Sequence, residues 1–357
     1  MRLGGFEENA DLSYKNLSGT NFTGANLINA DLTGANLTDA NLTDANLTYA
    51  TFTDANLTGA NLTGATLQSA NLTRANLLNA IFTSATLKGA NFTSAKLINA
   101  YFYNTILTSA NLTDANLTGA NLINAFFTGA NFTGANITDA NIYNTKFNFA
   151  NLTSMDLSNR NLTGADADFT GANLTGANLT GANLTGVNLI NAIFTSANLK
   201  GANLSDANIT GANLSYANLT GANLTGANLT GANLISANLT GVNLKDAILK
   251  DAILIGADFK FANLTNVNLS KMDLSGVASF YITQFYNADL SYAIFTGVNL
   301  LGAYFNNANL TGANLRGADI RGADVIDARF TNADLRDAHY DDVIFNEAAN
   351  GARDAIF

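Results

Sequence analysis

The chain is written in five-residue units. From Ala10 onward it repeats the text Ala-Asn/Asp-Leu/Phe-Thr-Gly, as in Ala222-Asn223-Leu224-Thr225-Gly226, with a bulky apolar residue at the centre of every unit. The centre recurs at every fifth position from Leu12 to Leu162, from Phe169 to Leu274 and from Phe280 to Phe345, giving 67 units that take up 335 of 357 residues. It is Leu in 44 units and Phe in 17, and the residue two before it is Ala in 54. A register this strict marks one continuous architecture rather than the two or three globular domains that length alone would suggest.

A period of five excludes a helix. At about 100° per residue, five residues turn about 500°, so successive centres would walk around the helix by about 140° and form no apolar stripe. A flat strand fails as well: Ala and the centre share a face, but the next Ala is three residues on and points the other way. The chain must turn a corner in every unit, so the pattern predicts an all-β solenoid with Ala and Leu/Phe inside. Gly at the corner tolerates positive φ, Thr suits an exposed strand position, and Asn or Asp can bond its side chain to nearby backbone at the turn. The absence of Pro fits the same reading, since coils that exchange backbone hydrogen bonds along the chain need every N–H.

Coil length is tested by outward residues, which should stack. Bulky apolar pairs recur twenty residues apart, among them Leu78/Ile98, Ile81/Tyr101, Tyr103/Ile123, Ile123/Tyr143, Ile106/Phe126 and Ile235/Ile255. Twenty means four units per coil, hence about 17 coils and, at the strand spacing of roughly 4.8 Å, a length of about 80 Å. One unit buries a Leu worth roughly 1.5–3 kcal/mol and must order five residues at about 1–2 kcal/mol each. Stability therefore comes from stacking, and the ends need caps. Residues 1–9, with Phe6, and 348–357, with Ile356 and Phe357, are expected to cap a single solenoid of residues 10–347, interrupted by register slips near 163–168 and 275–279.

The Ala-Asn/Asp-Leu-x-x tandem resembles the pentapeptide-repeat family over about nine-tenths of the chain. The resemblance implies a right-handed quadrilateral β-helix with four pentapeptides per coil. It also implies that the projecting loops and helical C-terminal dimer element by which gyrase-binding relatives resemble one another should be sought; neither is present in this sequence.

Composition narrows function further. With no Cys and one His, the chain cannot supply disulfides, thiolate metal sites, a cysteine nucleophile or a multi-histidine cluster, and no cofactor or metal is expected. No run approaches the roughly 20 apolar residues of a membrane span, and Met1–Ala10 lacks the apolar core of a signal peptide, so the expectation is a soluble, cytoplasmic protein without membrane insertion. No basic stripe for nucleic acid exists. The net charge is −10, half of it in residues 278–357, where Arg replaces Lys altogether; Arg316 and Arg336 should stack, Arg321 should lie over Asp341 and His339 over Asp319. A solvated salt-bridge surface is the plain reading, and without a placed nucleophile His339 carries no chemistry.

The departures from the repeat are the candidates for function. A Met-Asp-Leu-Ser stretch precedes each slip, Met155–Ser158 and Met272–Ser275, with Met in the inward Ala position as filler where the coil flares. Arg160 stands at an inward position before the first slip and is expected to swing outward, while Lys15 sits where an open end can tolerate it. Tyr101, Tyr103, Ile106, Ile123, Phe126 and Tyr143 form an outward apolar cluster on adjacent faces where other units carry Asn, Thr or Gly. These six are the candidate partner-binding residues. The sequence thus predicts a non-enzymatic, rod-like scaffold or protein-binding module whose partner is a protein. The alternative is a DNA mimic that binds DNA gyrase or topoisomerase, of the quinolone-resistance type. Charge argues against it, because about 80 Å of duplex carries about 47 negative charges and the chain has 27 acidic residues. An enzyme is the least expected class, since a filled core leaves no pocket.

Overall fold

The computed structural model describes residues 8–343 and 354–357. Expectations for Phe6, Phe345 and the rest of 1–7 and 344–353 lie outside the described residues. The chain divides into two compact units, one of Met1–Asp156 with Asn161–Leu174 and one of Leu157–Arg160 with Thr175–Phe357. Each is a β-solenoid built from single-residue bridges, with no α-helix among the described residues.

One pentapeptide explains both. In Asn56-Leu57-Thr58-Gly59-Ala60, the Asn56 N–H donates to Ala35 O at 2.9 Å on one neighbouring coil, while Leu57 N–H donates to Asn76 O at 2.7 Å and Gly59 N–H to Leu78 O at 2.9 Å on the other. Ala60 N–H closes a four-residue turn on Leu57 O at 3.0 Å. The fifth donor, Thr58 N–H, goes to the Asn56 Oδ1 at 3.2 Å. All five N–H groups of the unit are used, which is why Pro has no free place in it. The turn puts its third residue at positive φ, +68° at Gly59, as a type II turn requires. Gly is not obligatory there: Asp39, Asp44 and Asn29 hold the same conformation, as Asx residues do most readily.

The Asn is also a rung between coils. Asn76 Nδ2 donates to Asn56 Oδ1 at 3.1 Å and to Thr58 Oγ1 at 2.9 Å, and Thr58 Oγ1 donates to Asn56 Oδ1 at 2.7 Å. An Asn–Thr ladder therefore runs up the outside of the wall while Leu57 and Ala60 are wholly buried inside it. Phe centres stack in the same columns, Phe82 on Phe102 at 4.8 Å and 5° and Phe285 on Phe305 at 5.2 Å and 2°.

The bridges pair residues twenty apart, from Asp11↔Asp31 to Asn131↔Asn151 in the first unit and from Asn178↔Asn198 in the second. Inserted residues lengthen this interval. Lys146↔Asp168 and Asn151↔Asn173 span 22, and Asp258↔Ser279 through Asp273↔Ile294 span 21, before Gln284↔Tyr304 returns to 20. The first insertion is taken up as a local bulge in which Asp166 N–H donates to Asn144 Oδ1 at 2.7 Å. At the C-terminal end Ile356 bridges to Asp334, accepts from Leu335 N–H at 2.7 Å and donates to Ala333 O at 2.8 Å, while Phe357 packs edge-on against Tyr340. Ile356 and Phe357 thus lie against the coil of residues 333–340. Lys15, in the first coil, is exposed, and Leu12 keeps 8% exposure where most interior centres have essentially none.

Candidate functional site

Six outward apolar residues of the first unit gather at one corner, apart from the more exposed Tyr14, Tyr49 and Phe149. Tyr103, Ile123 and Tyr143 occupy the same turn position on three successive coils, and Ile106 bridges to Phe126, and Phe126 to Lys146, on the adjoining face. Tyr101, Tyr103, Ile106 and Tyr143 are 41–49% exposed, whereas Ile123 and Phe126 are half-buried between their neighbours. The Lys146 ammonium lies 5.1 Å from the Phe126 ring centroid, a cation–π contact that marks one edge of the apolar surface with positive charge. On the other side, Tyr101 borders a shallow hollow of about 360 Å³ lined by amides, including Asn79, Asn99, Asn121 and Asn141.

Side-chain hydrogen bonds brace this corner. After Tyr103 and Tyr143 come Asn104-Thr105 and Asn144-Thr145, so Thr stands at two inward positions where most units hold Ala, as it does again at Thr283, whose hydroxyl donates to Phe259 O at 2.7 Å. Thr105 and Thr145 are buried, and their hydroxyls donate to Phe82 O at 2.7 Å and to Leu122 O at 3.0 Å. Beside the aromatic column, Asn124 Nδ2 donates to Asn104 Oδ1 at 3.0 Å and Asn144 Nδ2 to Asn124 Oδ1 at 2.8 Å. The bulky column still loosens the turn ladder: Ser84 N–H to Tyr103 O is 3.0 Å, Asn104 N–H to Ile123 O is 3.2 Å and Asn124 N–H to Tyr143 O is 3.4 Å. The site is a patch of large exposed rings held on side-chain hydrogen bonds. Sequence reasoning found the rings and missed the brace, although Thr in place of Ala at 105 and 145 was the signal.

The profile of the pentapeptide repeats matches this chain at residues 8–39, 40–77, 70–108 and 110–148, again at 167–206, 207–246 and 243–277, and finally from 283–322 to 313–348. The chain belongs to the pentapeptide-repeat family. The matches lapse between 148 and 167 and between 277 and 283, where the two insertions lie. Among solved structures, this pentapeptide-repeat chain is similar to HetL of the cyanobacterium Nostoc sp. strain PCC 7120, a protein involved in heterocyst differentiation regulation, at 30% identity over 71% of this chain and 90% of HetL with a TM-score of 0.19. It is similar to Rfr23 of the cyanobacterium Cyanothece 51142 at 33% identity over 34% of this chain and 88% of Rfr23 with a TM-score of 0.18. It is also similar to the plasmid-mediated fluoroquinolone resistance protein QnrB1 at 19% identity over 62% of this chain and 90% of QnrB1 with a TM-score of 0.23. No curated protein matches the chain.

The acidic end of this pentapeptide-repeat chain is more ordered than its charge count suggests. Asp319 and Asp334 precede the centre of their units, and Arg321 and Arg336 follow it, so each Arg folds back on its own unit in a bidentate pair at 2.8–2.9 Å and 2.6–2.9 Å. Arg321 gives its hydrogen bonds to Asp319 within its own unit, and the Asp341 carboxylate twenty residues on adds to the charge that holds it. Arg316 reaches Asp337 at 3.2 Å. The Arg336 guanidinium holds the Asp334 carboxyl at about 2, and Arg321 holds Asp319 below the usual carboxylate range, with His339 adding the least. Asp319 and His339 bridge on adjacent coils, as their spacing of twenty predicted. Arg160 is half-buried. Among the described residues, no three of His, Asp and Glu converge to hold a metal ion, and no helix is long and apolar enough to cross a membrane.

Proposed function

We propose that the chain is a non-enzymatic scaffold or binding module that docks a protein partner through flat solenoid faces, with the corner of Tyr101, Tyr103, Ile106, Ile123, Phe126 and Tyr143 as the contact. The observation that carries this reading is the group of exposed tyrosines, Tyr101, Tyr103 and Tyr143, on a corner held by the inward threonines and stacked asparagines. Large aromatic side chains on a rigid support lose little entropy on binding and supply the area that dominates interface energetics. The finer architecture belongs to the same proposal: a right-handed quadrilateral β-helix of about 17 coils, cytoplasmic, with neither membrane insertion nor direct nucleic-acid contact. The C-terminal acidic segment favours no duplex mimicry, because its Asp319, Asp334 and Asp337 are held by arginines rather than presented as free charge.

The test is the double variant Tyr103→Ser/Tyr143→Ser, compared with the native chain by quantitative affinity capture from the host and by light scattering. Loss of a partner or a shift in oligomeric state is expected. If neither the captured set nor the oligomeric state changes, the corner is not a docking surface.

A further inference from the structure

Inside the second unit the backbone ladder parts over two consecutive pentapeptides. Asp246 N–H still donates to Thr265 O at 3.0 Å, and Gly256 N–H to Gly276 O at 2.6 Å, but the bonds between them are not made. In the register that holds elsewhere, the N–H groups of Leu249, Asp251 and Leu254 would donate to the carbonyls of Asn268, Ser270 and Asp273. Those of Asn268 and Asp273 would donate to Ala247 and Ala252. None of these five bonds forms, and the bridges Ile248↔Asn268 and Ile253↔Asp273 are missing with them. Each coil remains paired on its far side. Ile248 and Ile253 donate to Ala227 O and Ala232 O, both at 2.9 Å, while Leu269 and Leu274 donate to Asp289 O and Ile294 O, both at 2.8 Å. Two intact strand edges therefore face each other across an opening.

Apolar residues in the ladder position do not part a wall by themselves, since Ile81↔Tyr101 and Ile106↔Phe126 still bridge; here they coincide with the second slip. Ile248 and Ile253 occupy the positions that in most units hold the Asn of the ladder, so the lower coil offers no side-chain oxygen to Asn268 and none to the turn N–H groups of Lys250 and Ile255. Where Asn remains, at the preceding unit, Asn263 Nδ2 still reaches Asn243 Oδ1 at 3.1 Å. On the upper coil, Met272 takes the inward place of Ala, and the extra residue of the second slip follows directly. The opening has a volume of about 1140 Å³, just above the roughly 300–1,000 Å³ of ordinary ligand sites. It reaches the core: Ala252 is 8% and Leu254 4% exposed, against essentially none at most interior positions, and Ile253 and Ile255 are exposed beside them.

We propose that this opening is a strand-insertion slot that takes one extended segment of another polypeptide, apolar or small at alternate positions. The chemistry selects a peptide. Both edges present unpaired N–H and C=O groups in ladder register, and only a polypeptide backbone carries the matching alternation on both of its own sides at a rise of about 3.3 Å per residue. Main-chain bonds then supply affinity, and alternate side chains supply selectivity. The inward side chain of the inserted segment meets Leu254 and Met272; the outward one meets Ile253 and Ile255. A segment with Gly or Asn at a bend follows the corner and serves both walls, so the repeat text itself is a suitable filler. The slot lies on residues other than the aromatic corner and is independent of it: Tyr103→Ser/Tyr143→Ser is expected to leave it unchanged.

The probe is a fluorescent decapeptide with the text of residues 222–231, Ala-Asn-Leu-Thr-Gly twice, titrated into the full chain with amide exchange followed by NMR. Saturable binding is expected, together with new protection at Leu249, Asp251 and Leu254. A peptide N-methylated at alternate amides, which keeps its side chains and loses its donors, is expected to bind at least tenfold more weakly. Ile248→Asn/Ile253→Asn, which restores the side-chain ladder, is expected to protect these amides without peptide and to weaken the peptide at least tenfold. Should that variant fail to fold, the N-methylated peptide on the native chain decides alone. The proposal is overturned if the peptide leaves the three amides unchanged at millimolar concentration or if the N-methylated peptide binds equally well. It is also overturned if the amides are already protected in the free chain, whether at all concentrations or only as the chain self-associates, because the slot is then closed or belongs to a second copy.

Discussion

Proline should be tolerated at one position of the pentapeptide and damaging at another, and the difference can be worked out on the unit Asn61-Leu62-Thr63-Gly64-Ala65. Asn61 N–H donates to Ala40 O at 2.9 Å, so Asn61→Pro removes a wall bond and strands a buried carbonyl, at about 1–3 kcal/mol. It also removes the Oδ1 that accepts from Thr63 N–H at 3.0 Å and Thr63 Oγ1 at 2.6 Å, at about 0.5–1.5 kcal/mol for each bond. The total is about 2–6 kcal/mol. Thr63 is the second residue of a type II turn, where Pro's fixed φ is welcome, and its N–H serves only the partly exposed side chain of Asn61. Thr63→Pro gives up those two bonds and recovers about 0.4–1 kcal/mol by restricting the unfolded chain, leaving a net cost of about 1 kcal/mol. The assay is native-state exchange of the Leu42 amide, which donates to Asn61 O at 2.7 Å. At about 1.4 kcal/mol per tenfold, Asn61→Pro should accelerate it by at least about 30-fold and Thr63→Pro by about fivefold. Equal acceleration by both, or less than tenfold by Asn61→Pro, would refute the claim that wall and turn donors are unequal.

Two further outcomes are expected. Ile282 holds φ +52°, a left-handed conformation that costs a β-branched residue about 1–2 kcal/mol, so Ile282→Asn should stabilise the second unit by about 1 kcal/mol in denaturant unfolding; a loss of stability would show that Ile282 contributes more by packing than it costs in strain. The Asp334 carboxyl is held at about 2, below its unfolded value near 3.8, so its pair with Arg336 contributes fully above about pH 4 and is lost as pH falls towards 2. The stability difference between the native chain and Arg336→Ala should be flat from pH 7 to about 4 and vanish near pH 2; a difference that persists at pH 2 would assign Arg336 a role other than this ion pair.

Much of the fold was legible because one constraint repeats. The five-residue period excludes helix and flat strand, and twenty-residue recurrences such as Tyr103/Ile123/Tyr143 give the interval that the bridges adopt. The frame shifts at Leu162/Phe169 and Leu274/Phe280 give insertions of two and one, seen as intervals of 22 and 21. The brace and the slot were harder to read because both depend on pairs of substitutions rather than on any single residue. Thr105 matters only because Phe82 O lies within reach of its hydroxyl. Ile248 and Ile253 look like ordinary outward apolar residues, and Met272 like filler, until all three are seen together at a stretch where the backbone ladder is lost. A sequence shows which positions depart from the repeat. It does not show which hydrogen bonds the departing residue was supposed to make.

The most direct test of the wall ladder is residue-resolved amide exchange over the whole chain under native conditions. Slow exchange is predicted in a period of five at the Asn, the centre and the positive-φ turn residue, as at Asn56, Leu57 and Gly59, with faster exchange at the intervening Thr58 whose only acceptor is a side chain. A local loss of protection is predicted at Leu249, Asp251 and Leu254, flanked by protected Leu229 and Leu269. Uniform protection running through 247–255, or Thr58 as slow as Leu57, would contradict the ladder that holds one coil to the next.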